Sequence, residues 1–255
     1  MALERFERVA AHRPDLRLPF PKDFAARLTG QTALTVRRRA KYLLVALSSG
    51  DTLVMHLGMS GSFRVGHDRP GSAAGRHDHV VFYMSSGAII TFTDPRRFGF
   101  MDLVAADSLA THPTLSRLGP EPLSNEFDAA TLARACKGKK TSLKTALLDQ
   151  KVVAGLGNIY ASEALHVARL SPYRQASTIA TASGAPRAAA HRLATAIKQV
   201  LTEAIDRRST RGRGSSRFRV YDREAERCHR SRCGGRIRRR TQAGRSTFFC
   251  PRCQR

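Results

Sequence analysis

Four cysteines near the end of the chain form two pairs with the spacing of metal ligands. Cys228 and Cys233 are separated by four residues, Cys250 and Cys253 by two, and 16 residues lie between the pairs. Two such cysteine turns at opposite ends of one β-hairpin converge on a tetrahedral four-sulfur site, which suits zinc and leaves no open catalytic position. We therefore predict one structural Zn²⁺, with His229 as a less favoured alternative ligand because four thiolates are already present.

The fifth cysteine, Cys136, lies in the segment DAATLARAC and is expected to be a buried, inert thiol. Five cysteines with four clustered at one end favour metal binding in a reducing compartment over a disulfide framework. No apolar run approaches the length of a membrane span, and MALERFERVAAHRPD lacks the apolar centre of a signal peptide. A cytosolic protein is expected.

Positive charge is concentrated in the last fifth of the chain. The formal net charge is +24, and residues 206–255 contain 17 arginines, 4 acidic residues and no lysine. The predicted hairpin RIRRRTQAGRSTFF, with its tip at Ala243 and Gly244, carries five of these arginines: Arg236, Arg238, Arg239, Arg240 and Arg245. This concentration disfavours a merely solvated face and indicates a nucleic acid held through its phosphates. An RNA-binding or ribosome-associated zinc ribbon would share these features.

Two kinds of secondary structure must position these residues. Between Val36 and Val104 the apolar residues fall in short runs, namely VRRRAKYLLVAL, DTLVMHL, HDHVVFYM, AIITFT and FGFMDLV. Their length, turn spacing and β-branched content predict an antiparallel sandwich or barrel. A linker is predicted next, over LGPEPLSNEFD, in which Ser124 or Asn125 is a candidate helix cap.

After Asp128 the pattern becomes helical. Four helices are predicted, over DAATLARAC, SLKTALLDQ, NIYASEALHVARL and APRAAAHRLATAIKQVLTEAID. Between the second and third, Gly155 and Gly157 mark a tight turn that leads directly into a helix. Such a turn exposes backbone N–H groups at the helix N-terminus, where a phosphate can bind.

Four segments together carry a family resemblance: HLGMSGSFRV (56–65), TDPRRFGF (93–100), LGNIYASEAL (156–165) and GRSTFFCPRCQ (244–254). In this order they resemble the bacterial formamidopyrimidine-DNA glycosylase family, which is related to endonuclease VIII. The resemblance extends from about Arg13 to Arg208 and from Phe218 to Arg255. It implies an α+β protein with an N-terminal antiparallel β-sandwich (1–115), a helix-two-turn-helix domain (116–208), and a loop with a β-hairpin zinc finger (209–255).

The resemblance also implies an activity. Family members excise oxidised purines such as 8-oxoguanine and formamidopyrimidines from duplex DNA and then cleave the abasic strand by β,δ-elimination. Because a stacked base is unreachable, the target nucleotide must be extruded and the gap filled. By resemblance Met59, Arg96 and Phe98 fill this gap. Phosphate contacts fall on Lys41, His77, Asn158 and Arg245, of which Lys41 and Arg245 also assist the elimination steps. A monomer is the family expectation.

The chain departs from the family pattern in two places. Family members begin with a proline nucleophile and a glutamate proton carrier in a P-E-L-P-E-like segment, whereas this chain begins Met1-Ala2-Leu3-Glu4, so the first helix is expected to be missing. Ala2 would offer a primary amine, and Glu4 matches no motif position. The segment STRGRGSSR (209–217) replaces a longer lesion-cupping loop, which widens the expected lesion range. The leading hypothesis is an impaired glycosylase and abasic-site lyase; the alternative is a catalytically silent, zinc-dependent protein that binds damaged DNA.

Overall fold

A computed structural model describes residues 3–67, 75–210 and 218–255, with residues 208–210 described by their backbone alone. The chain divides into two compact units, Met1–Ser116 (unit 1) and Arg117–Arg255 (unit 2). Each unit has its own buried core, and each is described by itself below.

Unit 1 is built from antiparallel strands. They are β1 (Glu4–Ala11), β2 (Thr32–Arg39), β3 (Tyr42–Leu47), β4 (Asp51–His56), β5 (Ser62–Gly66), β6 (Asp78–Met84), β7 (Ile89–Thr93) and β8 (Phe100–Ala105), with a short α-helix, α1 (Phe24–Leu28), and a 3₁₀ helix at Ala106–Ser108. In the described part of the unit the strand order is β5-β7-β6-β1-β2-β3-β4-β8. The strands predicted between Val36 and Val104 are confirmed.

Strand β1 joins the two halves of this sheet. Its first residues, Glu4 and Arg5, pair with β2, whereas Phe6 and the residues after it pair with β6 across an irregularity in register. Side chains from both halves, such as Leu53 and Phe82, share one buried core. The two halves therefore pack face to face as the predicted β-sandwich. β1 itself was not predicted from the pattern, because in ERFERVAA only Phe6 and Val9 are apolar residues of the core.

Unit 2 contains the four predicted helices. They are α2 (Ala129–Cys136), α3 (Leu143–Leu148), α4 (Asn158–Val167) and α5 (Ala188–Thr210). Their inward faces of alanine, leucine, isoleucine and valine form the core of the unit. Cys136 is fully buried in this core, and burial raises the pKa of its thiol to about 11. The prediction of an inert thiol therefore agrees with its surroundings.

The predicted cap of the first helix of unit 2 was wrong. Asp128, with extended backbone, precedes α2, and its carboxylate accepts a 2.7 Å hydrogen bond from the N–H of Thr131. The Ser124 hydroxyl instead donates to the carbonyl of Glu121, within the preceding turn. Ser124 and Asn125 lie too far before the first helical residue to reach its unpaired N–H groups.

A two-stranded hairpin follows the helices. It consists of β9 (Arg238–Gln242) and β10 (Arg245–Phe249), and Gln242 pairs with Arg245 across the tip. The tip residues Ala243 and Gly244 have φ of 48° and 70°, as a two-residue primed turn requires. The predicted tip is confirmed. Over the residues described, no helix combines the length and the apolar character needed to cross a membrane.

The sandwich core gives a prediction for stability. Phe82 is fully buried against Phe6, with ring centroids 5.6 Å apart, whereas Phe98 is 41% exposed. Phe82→Ala should lower the free energy of unfolding by about 3–5 kcal/mol through lost burial and a residual cavity. The same change at Phe98 should cost about 0.5 kcal/mol or less. Urea unfolding of the zinc-loaded chain measures both, and equal losses would contradict this assignment of the core.

Candidate nucleic-acid interface and zinc centre

Two loops of unit 1 bring the predicted gap-filling residues together. The 57–61 loop joins β4 to β5, and the 94–99 loop joins β7 to β8. A Cβ atom on Gly58 would lie 2.4 Å from the carbonyl carbon of Phe98, so the two backbones are in direct contact. Met59 and Phe98, on adjoining loops, are 73% and 41% exposed. Apolar side chains that lie next to each other at a surface often form part of an interaction site.

Arg96 completes this group. Its guanidinium carbon lies 4.6 Å from the centroid of the Phe98 ring, a cation–π contact at the surface. Between them Arg97 adopts φ of +55°, a left-handed conformation that reverses the chain direction. The three residues Met59, Arg96 and Phe98 thus form one exposed cluster, here called the wedge.

Lys41 and His77 lie near the wedge. Lys41 is exposed in the turn between β2 and β3. The pKa of His56 is lowered mainly by burial of the His56 ring and next by the positive charge of Lys41. The Nδ1 atom of His56 accepts a 3.0 Å hydrogen bond from the N–H of Gly58, at the start of the 57–61 loop. The carbonyl of His77 accepts a hydrogen bond from the N–H of Asp94, at the start of the 94–99 loop. Both predicted phosphate-contact residues therefore lie at the end of the sandwich that carries the wedge.

In unit 2 the turn before α4 has the predicted form. Gly155 has φ of +76°, and its N–H donates to the Gln150 side chain at 2.8 Å. The Gln150 amide in turn donates to the carbonyl of Leu156, which fixes the turn. Gly157 occupies the N-cap position and offers no side-chain cap to the first N–H groups of α4. This helix end can accept an anion.

The hairpin is held against this helix end. The Asn158 amide donates to the carbonyl of Ser246 at 3.0 Å. Ser246 directly follows Arg245 in β10, so Asn158 lies close to the Arg245 backbone. Asn158 Oδ1 is buried without a hydrogen-bond partner in the part of the chain that the structure describes. The structure therefore brings the two predicted phosphate-contact residues of unit 2 to one place.

Sequence reasoning missed Lys144 in α3. This lysine is 1% exposed, and its ammonium donates to the Ser246 carbonyl at 2.9 Å and to the Thr247 hydroxyl at 2.7 Å. Burial first, and then the charge of Arg245, lower the pKa of Lys144 to about 8. A single lysine among apolar residues in SLKTALLDQ was the available signal. Lys144 links the helical core to the arginine-bearing strand.

The four predicted ligands converge. The Sγ atoms of Cys228, Cys233, Cys250 and Cys253 all lie within 4.8 Å of one another. Two of the separations are 3.6 and 3.9 Å, close to the ~3.8 Å edge of a sulfur tetrahedron around zinc. A Cβ on Gly235 would lie 2.7 Å from the Cys250 sulfur, so only glycine fits there. The cluster is a structural zinc centre with four thiolate ligands, and it does not include His229.

Buried groups of α4 fasten this finger to the helices. The Glu163 carboxylate, 3% exposed, accepts the N–H groups of Arg219, Val220 and Tyr221 at 2.8 to 3.0 Å. One turn later, Nε2 of His166 lies 3.3 Å from the Cys228 sulfur. Burial and then the neighbouring arginines lower the pKa of His166 to about 4. Neither residue was selected from the sequence.

The zinc assignment predicts the behaviour of a ligand variant. Cys250→Ser should abolish zinc retention, because a neutral hydroxyl replaces one of four thiolates. It should also remove much of the DNA affinity, because β10 carries Arg245. Metal analysis of the purified protein and gel-shift titration measure both effects. Cys136→Ala is the control and should retain one zinc per chain; equal zinc in the Cys250 variant would refute the ligand set.

The contact between His166 and Cys228 predicts a slower effect. An N–H group at Nε2 of His166 would donate to the Cys228 thiolate and hold it on the metal. His166→Phe should therefore accelerate zinc loss to a chelator by about tenfold. His191→Phe, at an exposed position on α5, is the control. Identical release rates in the wild type and the His166 variant would show that the hydrogen bond does not stabilise the site.

Three protein-family models match the chain in succession. The formamidopyrimidine-DNA glycosylase N-terminal domain matches residues 1–101, and the H2TH domain of the same enzyme matches residues 118–216. A zinc finger found in FPG and IleRS matches residues 225–255. The first match contains the wedge, the second contains Asn158 and the third contains the four cysteines.

Individual proteins are similar over nearly the whole chain. The formamidopyrimidine-DNA glycosylase of Azorhizobium caulinodans is 56% identical, over 98% of this chain and 92% of the relative. The crystal structure of MutM (FPG) from Thermus thermophilus is 37% identical, with a TM-score of 0.82, over 100% of this chain and 92% of that one. Lactococcus lactis FPG in complex with FAPY-dG-containing DNA is 29% identical, with a TM-score of 0.85, over 99% and 93%. This chain belongs to the formamidopyrimidine-DNA glycosylase family.

Proposed function

We propose that this chain repairs oxidised purines in duplex DNA as a glycosylase with abasic-site lyase activity. The wedge carries the proposal, because it presents two apolar side chains and a guanidinium on rigid, adjoining loops. The crystallised Lactococcus lactis relative holds DNA that contains the oxidised purine FAPY-dG. We also propose that the chain acts as a monomer and is associated with the nucleoid in the bacterial cytoplasm.

The wedge suits the gap left by an extruded nucleotide. Met59 is flexible and polarisable, so it can fill an irregular space between base pairs. Phe98 can insert against a base step and hold the duplex kinked. The Arg96 guanidinium, already beside the Phe98 ring, can donate hydrogen bonds to the base that has lost its partner.

Four further residues are proposed to hold the DNA backbone. They are Lys41 and His77 in unit 1 and Asn158 and Arg245 in unit 2. Asn158 acts beside the uncapped N–H groups of α4, where the helix dipole also favours a phosphate. A lysine or arginine beside the leaving phosphate stabilises the charge that develops during strand cleavage. We assign this additional role to Lys41 and Arg245.

The lyase chemistry needs an amine that forms a Schiff base with the sugar, and a group that transfers protons. Ala2, the amine considered from the sequence, lies outside the described residues. Glu4 lies in β1 and accepts a hydrogen bond from the Ser86 hydroxyl, which lowers the pKa of Glu4 and disfavours it as a proton donor. The second candidate is a silent protein that binds damaged DNA. Residues 211–217, within the segment expected to set lesion preference, also lie outside the described part.

Borohydride trapping separates the two candidates. The full zinc-loaded chain is mixed with duplex DNA carrying one 8-oxoguanine, one formamidopyrimidine or one abasic site, and reduced adducts are resolved by electrophoresis. A covalent adduct would establish the enzyme, and mass spectrometry of the adduct would identify the amine. Tight, zinc-dependent binding to damaged duplex without an adduct would establish the silent binder. Preferential binding to RNA would contradict both candidates.

Arg96 gives a prediction for recognition. Arg96→Ala should weaken binding to a lesion duplex about tenfold more than binding to an intact duplex, because the lost contact is to the unpaired base. Arg5→Ala is a charge-matched control, since Arg5 is an exposed arginine of the same unit that pairs with Glu7. Fluorescence anisotropy at fixed salt gives both affinities. Equal losses on the two duplexes would reduce Arg96 to a phosphate contact.

A further inference from the structure

A buried carboxylate lies beneath the wedge. Asp94 begins the 94–99 loop and is fully inaccessible to solvent. One carboxylate oxygen accepts the Ser60 hydroxyl at 2.5 Å, and the other accepts the N–H of Gly99 at 2.8 Å. The backbone carbonyl of Asp94 lies 2.9 Å from Nε2 of the buried His79. Asp94 is thus fixed to the sandwich through its main chain and to both loops through its side chain.

The two bonds of the carboxylate join different loops. Ser60 belongs to the 57–61 loop and directly follows Met59, whereas Gly99 belongs to the 94–99 loop and directly follows Phe98. The Ser60 oxygen also accepts the N–H of Arg96 at 3.1 Å. The network therefore holds Arg96 directly. It also holds Ser60 and Gly99, the immediate neighbours of Met59 and Phe98.

Close packing gives the loops little freedom while the network is intact. Gly58 meets the carbonyl of Phe98, and a Cβ on Gly99 would lie 2.8 Å from the carbonyl oxygen of His56. Gly58 and Arg97 both have positive φ, a conformation that costs energy for the arginine and must be imposed by surrounding contacts. The hydrogen bonds of Asp94 are such contacts.

The charge of Asp94 suits this role. Burial by itself would raise the pKa of the carboxyl, but hydrogen bonds from Ser60 and from the N–H groups of Gly99, Arg96 and Arg97 outweigh it and hold the pKa below its ordinary value. An ionised acceptor makes shorter and stronger hydrogen bonds than a neutral one. Leaving these donors without an acceptor in a buried place would be costly.

We propose that Asp94 is a positioning residue for lesion recognition, which clamps the 57–61 and 94–99 loops so that Met59, Arg96 and Phe98 act as one preassembled wedge. The proposal rests on the proposed function. Asp94 touches no DNA in this role; it acts through Ser60 and Gly99. A preassembled wedge avoids the entropy cost of ordering two loops when the DNA is kinked.

Amide hydrogen exchange tests the clamp without DNA. In the full zinc-loaded chain the N–H groups of Arg96 and Gly99 should be protected, and Asp94→Ala should raise their exchange rates at least about tenfold. Val45→Ala, in the core of the same sandwich, is the stability control because it removes fully buried methyl groups away from the loops. Unchanged exchange in the Asp94 variant, or equal increases in both variants at matched melting temperature, would overturn the clamp.

Binding discrimination tests the positioning role. The measured quantity is the affinity for duplex carrying a tetrahydrofuran abasic analogue, divided by the affinity for intact duplex. Asp94→Ala should lower this ratio about tenfold or more, and Val45→Ala should leave it within about twofold of wild type. An unchanged ratio in the Asp94 variant would overturn the proposal. A wild-type ratio near one would instead count against the proposed function, while the exchange result would still decide the clamp.

Ser60 provides a second variant that is less prone to misfold. Ser60→Ala removes one arm of the network and should give an intermediate loss of discrimination. If Ser60 and Asp94 act in one network, the double variant should lose less than the sum of the two single losses. Full additivity of the two losses would show that the residues act separately and would refute a single clamp.

Discussion

A charged group removed from water is stable only where hydrogen-bond partners replace its lost hydration. Asp94 in unit 1 and Lys144 and Glu163 in unit 2 are all at most 3% exposed, and each has partners from segments distant in the sequence. Each group consequently fixes a functional segment. Asp94 holds the wedge loops, Lys144 holds β10 beside Arg245, and Glu163 holds the chain that enters the zinc finger.

The hairpin of the zinc finger also depends on such partners for its stability. Two strands alone bury too little apolar surface to be stable in water, so the thiolate cluster closes the ends of the segment. The helices also hold the arginine-bearing strands β9 and β10 in place. Lys144 and Asn158 bind the backbone of β10, and His166 contacts the Cys228 sulfur, so all three connect the finger to the helices.

Damage recognition is proposed to depend on the wedge and the phosphate-contact residues, and two of the latter, Lys41 and Arg245, are also proposed to assist strand cleavage. The residues proposed to kink DNA and contact its phosphates lie on ordered loops and at a helix end, and their neighbours hold them in place. The glycosylase and the silent binder would therefore use the same wedge and finger, and they differ in whether an amine of the chain reacts with the sugar.

The sequence by itself determined whatever depends on local pattern: alternating apolar runs for the strands of the sandwich, helical periodicity for α2 to α5, two tip residues for the hairpin, and cysteine spacing for zinc. Long motifs also indicated the family. The tertiary structure alone decided that β1 joins the two halves of the sheet, and that Asp94, Lys144 and His166 support the site. Their partners lie far away in the sequence, from 34 residues for Asp94 to 103 for Lys144. No local pattern encodes such pairings, because they arise only when packing buries both groups together.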